Sequence, residues 1–257
     1  MTEPDAFYEP LLASLPDGET ASVQVGLFWT AVAVRVDGGL RCGLAATMSD
    51  TSHHYTNEPS IPDAGRLAEL PARTLAALVR SPRLPEVSIG MAALNALLRH
   101  DPARWTDIHA EEVIARHGAG RTVVLVGHFP FVPHLEPRVG RLLVLEQEPR
   151  PGDLPASAAA QVIPQADVLA ITAATLVNRT FGGLMALRRP DALTLLLGPT
   201  TPLSPILFES GVDILSGSIV EDIPAVLRGV SQGASFHQLH RMGVRLVSMT
   251  SGRLPVV

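Results

Sequence analysis

The sequence predicts an α/β protein in two units, a small α+β unit over residues 1–118 and a parallel-sheet unit over 119–257. Two observations predict it. Near the N-terminus, β-rich runs at 22–27, 30–36 and 40–45 lie close together. The last two are joined by Asp37-Gly38-Gly39, whose glycines supply the positive φ of a tight hairpin turn. From residue 121 the pattern changes to short apolar runs at 122–126, 142–146, 167–171, 193–197, 212–215 and 244–249, separated by helical stretches. Runs of five or six residues, apolar on both faces, fit a Rossmann-like parallel sheet covered on both sides.

In chain order, residues 6–15 predict a short helix that ends at Pro16-Asp17-Gly18. The three β-rich runs follow, and then a polar loop over 49–65 rich in turn formers. Two helices come next, the second carrying Val87, Met91, Leu94 and Leu98 as a stripe on one face. A third helix is predicted over 107–117, capped by Asp107 and closed by Gly118 beyond its end. Within the parallel unit, the helix after residue 221 places Ile223, Val226, Leu227 and Val230 on one side, with Glu221 and Asp222 at its positive end.

Composition narrows the chemistry. The chain has 257 residues, 46% apolar and 18% charged, enough to bury a core and too apolar for disorder. The net charge of −5, with no basic run, argues against a nucleic-acid or anionic-membrane surface. No apolar run reaches the ~20 residues of a membrane span, and the N-terminus lacks a signal-like segment. The expectation is a soluble cytoplasmic protein, with homo-oligomerisation left open. Every basic residue counted in that charge is Arg; without lysine, a pyridoxal-phosphate aldimine, other Schiff-base chemistry and a phosphate-binding P-loop lysine are excluded. Cys42 is the only cysteine, which leaves no internal disulfide or multi-thiolate metal site. Its strand-like setting favours packing over nucleophilic chemistry.

Open parallel sheets bind ligands beyond the carboxyl ends of their strands. That rule selects Gly127, His128 and Phe129 after the first run and Glu146 at the end of the second. It also selects Thr172, Thr175 and Asn178 after the third, and Gly198, Pro199, Thr200 and Thr201 after the fourth. Such residues present backbone N–H groups and hydroxyls to a polar or anionic ligand, and equally serve as turn and capping residues. An acid at the position of Glu146 binds ribose hydroxyls in nucleotide-binding sheets, yet the first turn reads GHFPFV and lacks the glycine fingerprint. His128 is aimed at the cleft by its turn, as a metal ligand or an acid/base. His53 and His54 in the polar loop are further metal-ligand candidates, and His237 with His240 has helical spacing. Asn95, polar amid an apolar helix, either bonds a buried contact between the units or reaches the cleft.

Several of these segments together resemble a known family. Gly127-His128-Phe129-Pro130, Leu145-Glu146, the string from Ile171 to Asn178, Leu197-Gly198-Pro199-Thr200-Thr201-Pro202 and Phe208 with Gly211-Val212 resemble the prokaryotic family labelled "putative heavy-metal chelation". Gly90 and Ala92-Ala93-Leu94-Asn95-Ala96 resemble the small domain that precedes it. The resemblance implies an enolase N-terminal-like first domain, a Rossmann-like second domain and a link to metal, metallophore or corrinoid metabolism; it carries over no catalytic residue.

The resulting expectation is a cleft between the units that binds a small polar or anionic ligand, a transition-metal ion or a metal chelate. With one cysteine, its metal ligands would be His, carboxylate and carbonyl groups, suited to Zn, Ni, Cu or Fe. The alternative is a Rossmann-type transferase or lyase that holds S-adenosylmethionine or a nucleotide near Gly127 and Glu146, with His128 as its acid/base.

Overall fold

A computed structural model describes residues 7–49 and 59–252. The chain begins with helix α1 (Tyr8–Ser14) and an antiparallel meander of β1 (Glu19–Val25), β2 (Trp29–Val36) and β3 (Gly39–Ala46). The β2–β3 turn is the two-residue hairpin that the sequence predicts: Val36 pairs with Gly39, and Asp37 and Gly38 take φ of 51° and 74°. Helices α2 (Ala72–Ala76) and α3 (Leu84–Leu97) pack on one face of this sheet.

Helix α3 departs from the predicted one-sided stripe. It is buried on nearly every face from Pro85 to Leu97, with Asn95 the one residue that is only half-buried. The physical reason is close backbone approach on two sides. A Cβ at Gly43 of β3 would lie 2.2 Å from the Ala92 carbonyl oxygen and 2.4 Å from the Ala96 nitrogen, and one at Gly90 would lie 2.4 Å from the Val79 nitrogen. The helix is thus wedged between the small sheet and the neighbouring turns.

Helix α4 (Ala110–Gly118) starts later than predicted. Thr106 exchanges two backbone hydrogen bonds with Ser248 (2.8 and 2.9 Å), which keeps the segment before the helix extended. Asp107 pairs with Arg245 at 3.4 Å instead of capping, and His109 is the cap, its Nδ1 accepting from the Glu111 N–H at 3.2 Å. Gly118 is the last helical residue; the positive φ that ends the turn belongs to Gly120, at 69°.

The second sheet contains β4 (Thr122–Val126), β5 (Arg141–Glu146), β6 (Leu154–Pro155), β7 (Val168–Thr172), β8 (Leu193–Leu197), β9 (Ile214–Val220) and β10 (Val244–Thr250). Their order is β10-β9-β8-β7-β4-β5-β6. The connections carry α5 (Val132–Leu135), α6 (Ala159–Val162), α7 (Ala174–Val177), α8 (Phe181–Met185), α9 (Ile223–Ser231) and α10 (Phe236–Arg241). All pairings are parallel except β9 with β10, which corrects the expectation that the last run continues the parallel sheet. A parallel return needs a crossover laid on the sheet's own face. Helix α9 instead buries Ile223, Val226 and Val230 against Ala31, Ala33, Cys42 and Leu44 of the small sheet. The chain then comes back beside β9 in the opposite direction.

One apolar core runs through both units. Val32, Leu75, Ile89 and Leu94 belong to the same cluster as Val124, Leu169, Ile171 and Leu196 on one face of the large sheet. The opposite face is covered by Val113 and Ile114 of α4 and Leu135 of α5. Among the described residues no helix is long and apolar enough to cross a membrane.

Gly43→Ala tests the close packing of α3. A methyl with no room against two backbone atoms is expected to cost about 1–3 kcal/mol or more, read as a lower urea midpoint. An unchanged midpoint would show that the two elements can separate freely.

Candidate functional site

The large sheet changes direction at β4. The chain leaves β4 for β5 on one side and later returns to β7 on the other, so the carboxyl ends of β4 and β7 form a topological switch point. The turns after β4, β7 and β8 follow parallel neighbours and therefore lie on one rim. Their contacts agree: a Cβ at Gly127 would sit 3.0 Å from Thr172 Cγ2, and the Ala173 N–H donates to the Leu197 carbonyl at 2.8 Å. Gly127 and Gly198 have φ of 99° and 110°, and no atom lies within 4 Å of where a Gly198 Cβ would be.

His128 is held at three points. Its backbone N–H donates to Glu146 Oε2 at 2.7 Å, while Glu146 Oε1 accepts from the Gln147 N–H at 2.7 Å. Its ring Nδ1 lies 2.9 and 3.0 Å from the two carboxylate oxygens of Asp153. The Asp153 side chain is only 3% exposed and that of His128 15%, and Asp153 Oδ2 also accepts from the Arg150 N–H at 3.0 Å. A carboxylate is acceptor-only, so the proton of this contact sits on Nδ1. Nε2 is left as the acceptor of the neutral ring, with no partner among the described residues. Beside it Phe129 stacks on Phe131, ring centres 5.1 Å apart and 15° from parallel.

Asp153 is the residue that sequence reasoning missed. Its only local signal is a Pro151-Gly152 turn just before it, with Gly152 at φ 97°, a pattern shared with ordinary surface turns.

Many of the other predicted residues hold the rim together. Thr172 Oγ1 accepts from the Ala174 N–H at 3.4 Å, and the buried Thr175 hydroxyl donates to the Thr172 carbonyl at 2.6 Å. Asn178 Oδ1 accepts from both the N–H and the hydroxyl of Thr180. The Pro199 carbonyl accepts from Ser218 at 3.4 Å. Thr200 Oγ1 accepts from the Ala46 N–H at 2.9 Å, and its carbonyl accepts from Asn95 Nδ2 at 3.0 Å. The same Asn95 nitrogen donates to the Leu44 carbonyl at 2.9 Å, so Asn95 makes the buried contact between the units. At this junction Asn95 Oδ1 and Thr201 Oγ1 are buried without a partner.

The histidines do not converge. His53 and His54 lie outside the described residues. His134 on α5 and His237 and His240 on α10 are exposed, and His240 Nδ1 donates to the Val244 carbonyl at 2.7 Å. Among the described residues no three His, Cys, Asp or Glu side chains are grouped to hold a metal ion. Cys42 is buried, which pushes its thiol up to about 12 and keeps it protonated.

Two family profiles match the chain. The DUF364 profile, described as "Putative heavy-metal chelation", matches residues 110–249, and the DUF4213 profile, with the same description, matches residues 8–98. The chain belongs to this family. A protein of unknown function from the DUF364 family of Desulfitobacterium hafniense is 27% identical, with a TM-score of 0.78 over 96% of this chain and 98% of that one. A second DUF364 protein of unknown function, from Pyrococcus horikoshii, shares the fold at 19% identity, with a TM-score of 0.82 over 96% of this chain and 99% of that one. No curated protein matches the sequence.

The Asp153 contact predicts which ring nitrogen carries the proton. Nitrogen NMR of wild type is expected to show neutral His128 protonated at Nδ1, and Asp153→Ala is expected to lose that tautomer. The substitution also frees the exposed Arg150 N–H, which water can bond. A neutral ring protonated at Nε2 alone in the wild type would rule the pairing out.

Proposed function

We propose that this member of the "Putative heavy-metal chelation" family binds a small metal chelate at the switch-point rim, with His128 Nε2 as the protein's ligand to the metal. The observation that carries the reading is the His128–Asp153 pair, one ring nitrogen on a buried carboxylate and the other left free. Histidines that bind metals characteristically donate their second nitrogen to a carboxylate, which fixes the tautomer and raises the basicity of the free one. Imidazole suits Zn, Ni, Cu and Fe.

The donor set favours a chelate over a bare ion. A tetrahedral or octahedral ion needs three or more protein ligands, and the described residues present no such group. Glu146 spends both oxygens on backbone N–H groups, and the Cys42 thiol is buried and protonated. A metal that arrives with most of its positions filled by a small polar chelator needs one imidazole from the protein. Gly127, Phe129, Thr172 and the turn at Gly198 and Pro199 lie on the same rim, and their backbone groups and the Thr172 hydroxyl suit the chelator's polar atoms.

The same pair supports a second reading. A histidine oriented by a buried carboxylate is also an arrangement for general-base catalysis, which would make the rim the site of a transferase or lyase that uses S-adenosylmethionine or a nucleotide. A tight ligand of the folded state raises the melting temperature, so a shift with S-adenosylmethionine and none with chelates would favour this reading.

Calorimetric titration separates the forms of the primary reading. Zinc, nickel, cobalt and ferric salts, then ferric citrate and nickel–histidine, are titrated into wild type, Asp153→Ala and His128→Ala. At least one chelate is expected to bind more tightly than its free ion; Asp153→Ala is expected to weaken it about 10–100-fold and His128→Ala by more, with the fold intact. Heats at background for every chelate with folded wild type would end the proposal.

A further inference from the structure

We propose that Glu146 sets the ligand class of the rim: its carboxylate occupies the anion position of the β4 turn, so the rim takes a ligand that presents no phosphate there and turns a positive centre toward β5. This deepens the chelate reading and rests on it for the identity of that positive centre.

In nucleotide-binding sheets of this topology, the turn after the central strand offers backbone N–H groups to a phosphate, and an acid at the end of the next strand accepts from ribose hydroxyls. Here the two halves of that apparatus are bonded to each other. The His128 N–H points at Glu146 Oε2 and the Gln147 N–H at Glu146 Oε1, both at 2.7 Å. The Gly127 N–H is taken by the Leu145 carbonyl at 2.8 Å. The helix beyond the turn offers little more, since α5 is a single turn of four residues and Pro133 within it has no N–H. A phosphate would therefore have to displace an internal carboxylate from two charge-assisted hydrogen bonds.

Charge acts in the same direction. The segment from Glu146 to Asp153 holds Glu146, Glu148 and Asp153 against Arg150 alone, so a phosphate would approach like charge. A metal-bearing group meets the opposite situation, with His128 Nε2 as a ligand and carboxylates on both sides of the residue that carries it. Gly127 is what permits the arrangement. Its φ of 99° turns the chain so that the next N–H faces β5.

Nitrogen-15-labelled wild type is titrated with inorganic pyrophosphate and with ADP while the amide signals of His128 and Gln147 are followed. No saturable shift at these amides is expected; a saturable shift at either would overturn the proposal. Glu146→Gln removes the charge and can accept only one of the two N–H groups. It is expected to gain pyrophosphate binding at the freed amide, at least about tenfold tighter than wild type. A folded variant without that gain also overturns the proposal, and if the variant does not fold, the wild-type titration decides it alone. The outcomes are independent of the chelate titrations: no chelate binding with these results intact removes the chelate reading and leaves the role of Glu146 standing.

Discussion

Asn95 lies in the last turn of a helix whose other residues from Pro85 to Leu97 are all buried, and its amide nitrogen reaches carbonyls on two different sheets, Leu44 on the small one and Thr200 on the rim of the large one. A buried donor without partners costs about 1–3 kcal/mol, so this nitrogen is satisfied only when the two sheets stand in one relative position. The rest of the junction conforms to that spacing. Gly43 removes the side chain that would hold β3 away from α3, Thr200 receives the Ala46 N–H, and Tyr8 donates to the Leu176 carbonyl at 2.7 Å. The Arg179 guanidinium closes the same seam on the carbonyls of Val79 and Ser81. The small unit is thereby locked against two of the three turns that make the rim, and the third, after β4, keeps its histidine partly open.

This division explains why residues of similar type at one rim do different work. Hydroxyls and amides near the junction, those of Thr175, Thr200 and Asn95, are drawn into protein contacts because the units bury them. The β4 turn lies beside β5 and β6 and is supported by carboxylates instead. Glu146 fixes the backbone of His128, and Asp153 fixes its ring. Hydrogen bonds to a charged acceptor contribute about 1.5–3 kcal/mol each, more than neutral ones, which suits them to holding a single side chain without an apolar wall on every side.

Much of the fold was legible in local patterns. The Asp37-Gly38 hairpin, the runs that became β4, β5, β7 and β8, and the apolar face of α9 all follow from short-range rules of turn chemistry and periodicity. Glu146 and His128 were legible as strand-end residues, but their partnership was not, because the N–H to carboxylate bond joins neighbouring strands. Asp153 escaped notice because a carboxylate after Pro-Gly looks the same in sequence whether it faces water or a buried imidazole.

The sequence by itself determined the two-unit α/β class, the strand-end placement of the polar turns and the exclusion of lysine and multi-thiolate chemistry, since these depend on residue identity and spacing along the chain. Tertiary structure alone decided that α3 is buried all round, that α9 serves the small sheet and so leaves β10 antiparallel, and that Asp153 completes the setting of His128. These outcomes depend on which surfaces meet across long separations in sequence, and neither periodicity nor propensity encodes the partner of a buried face.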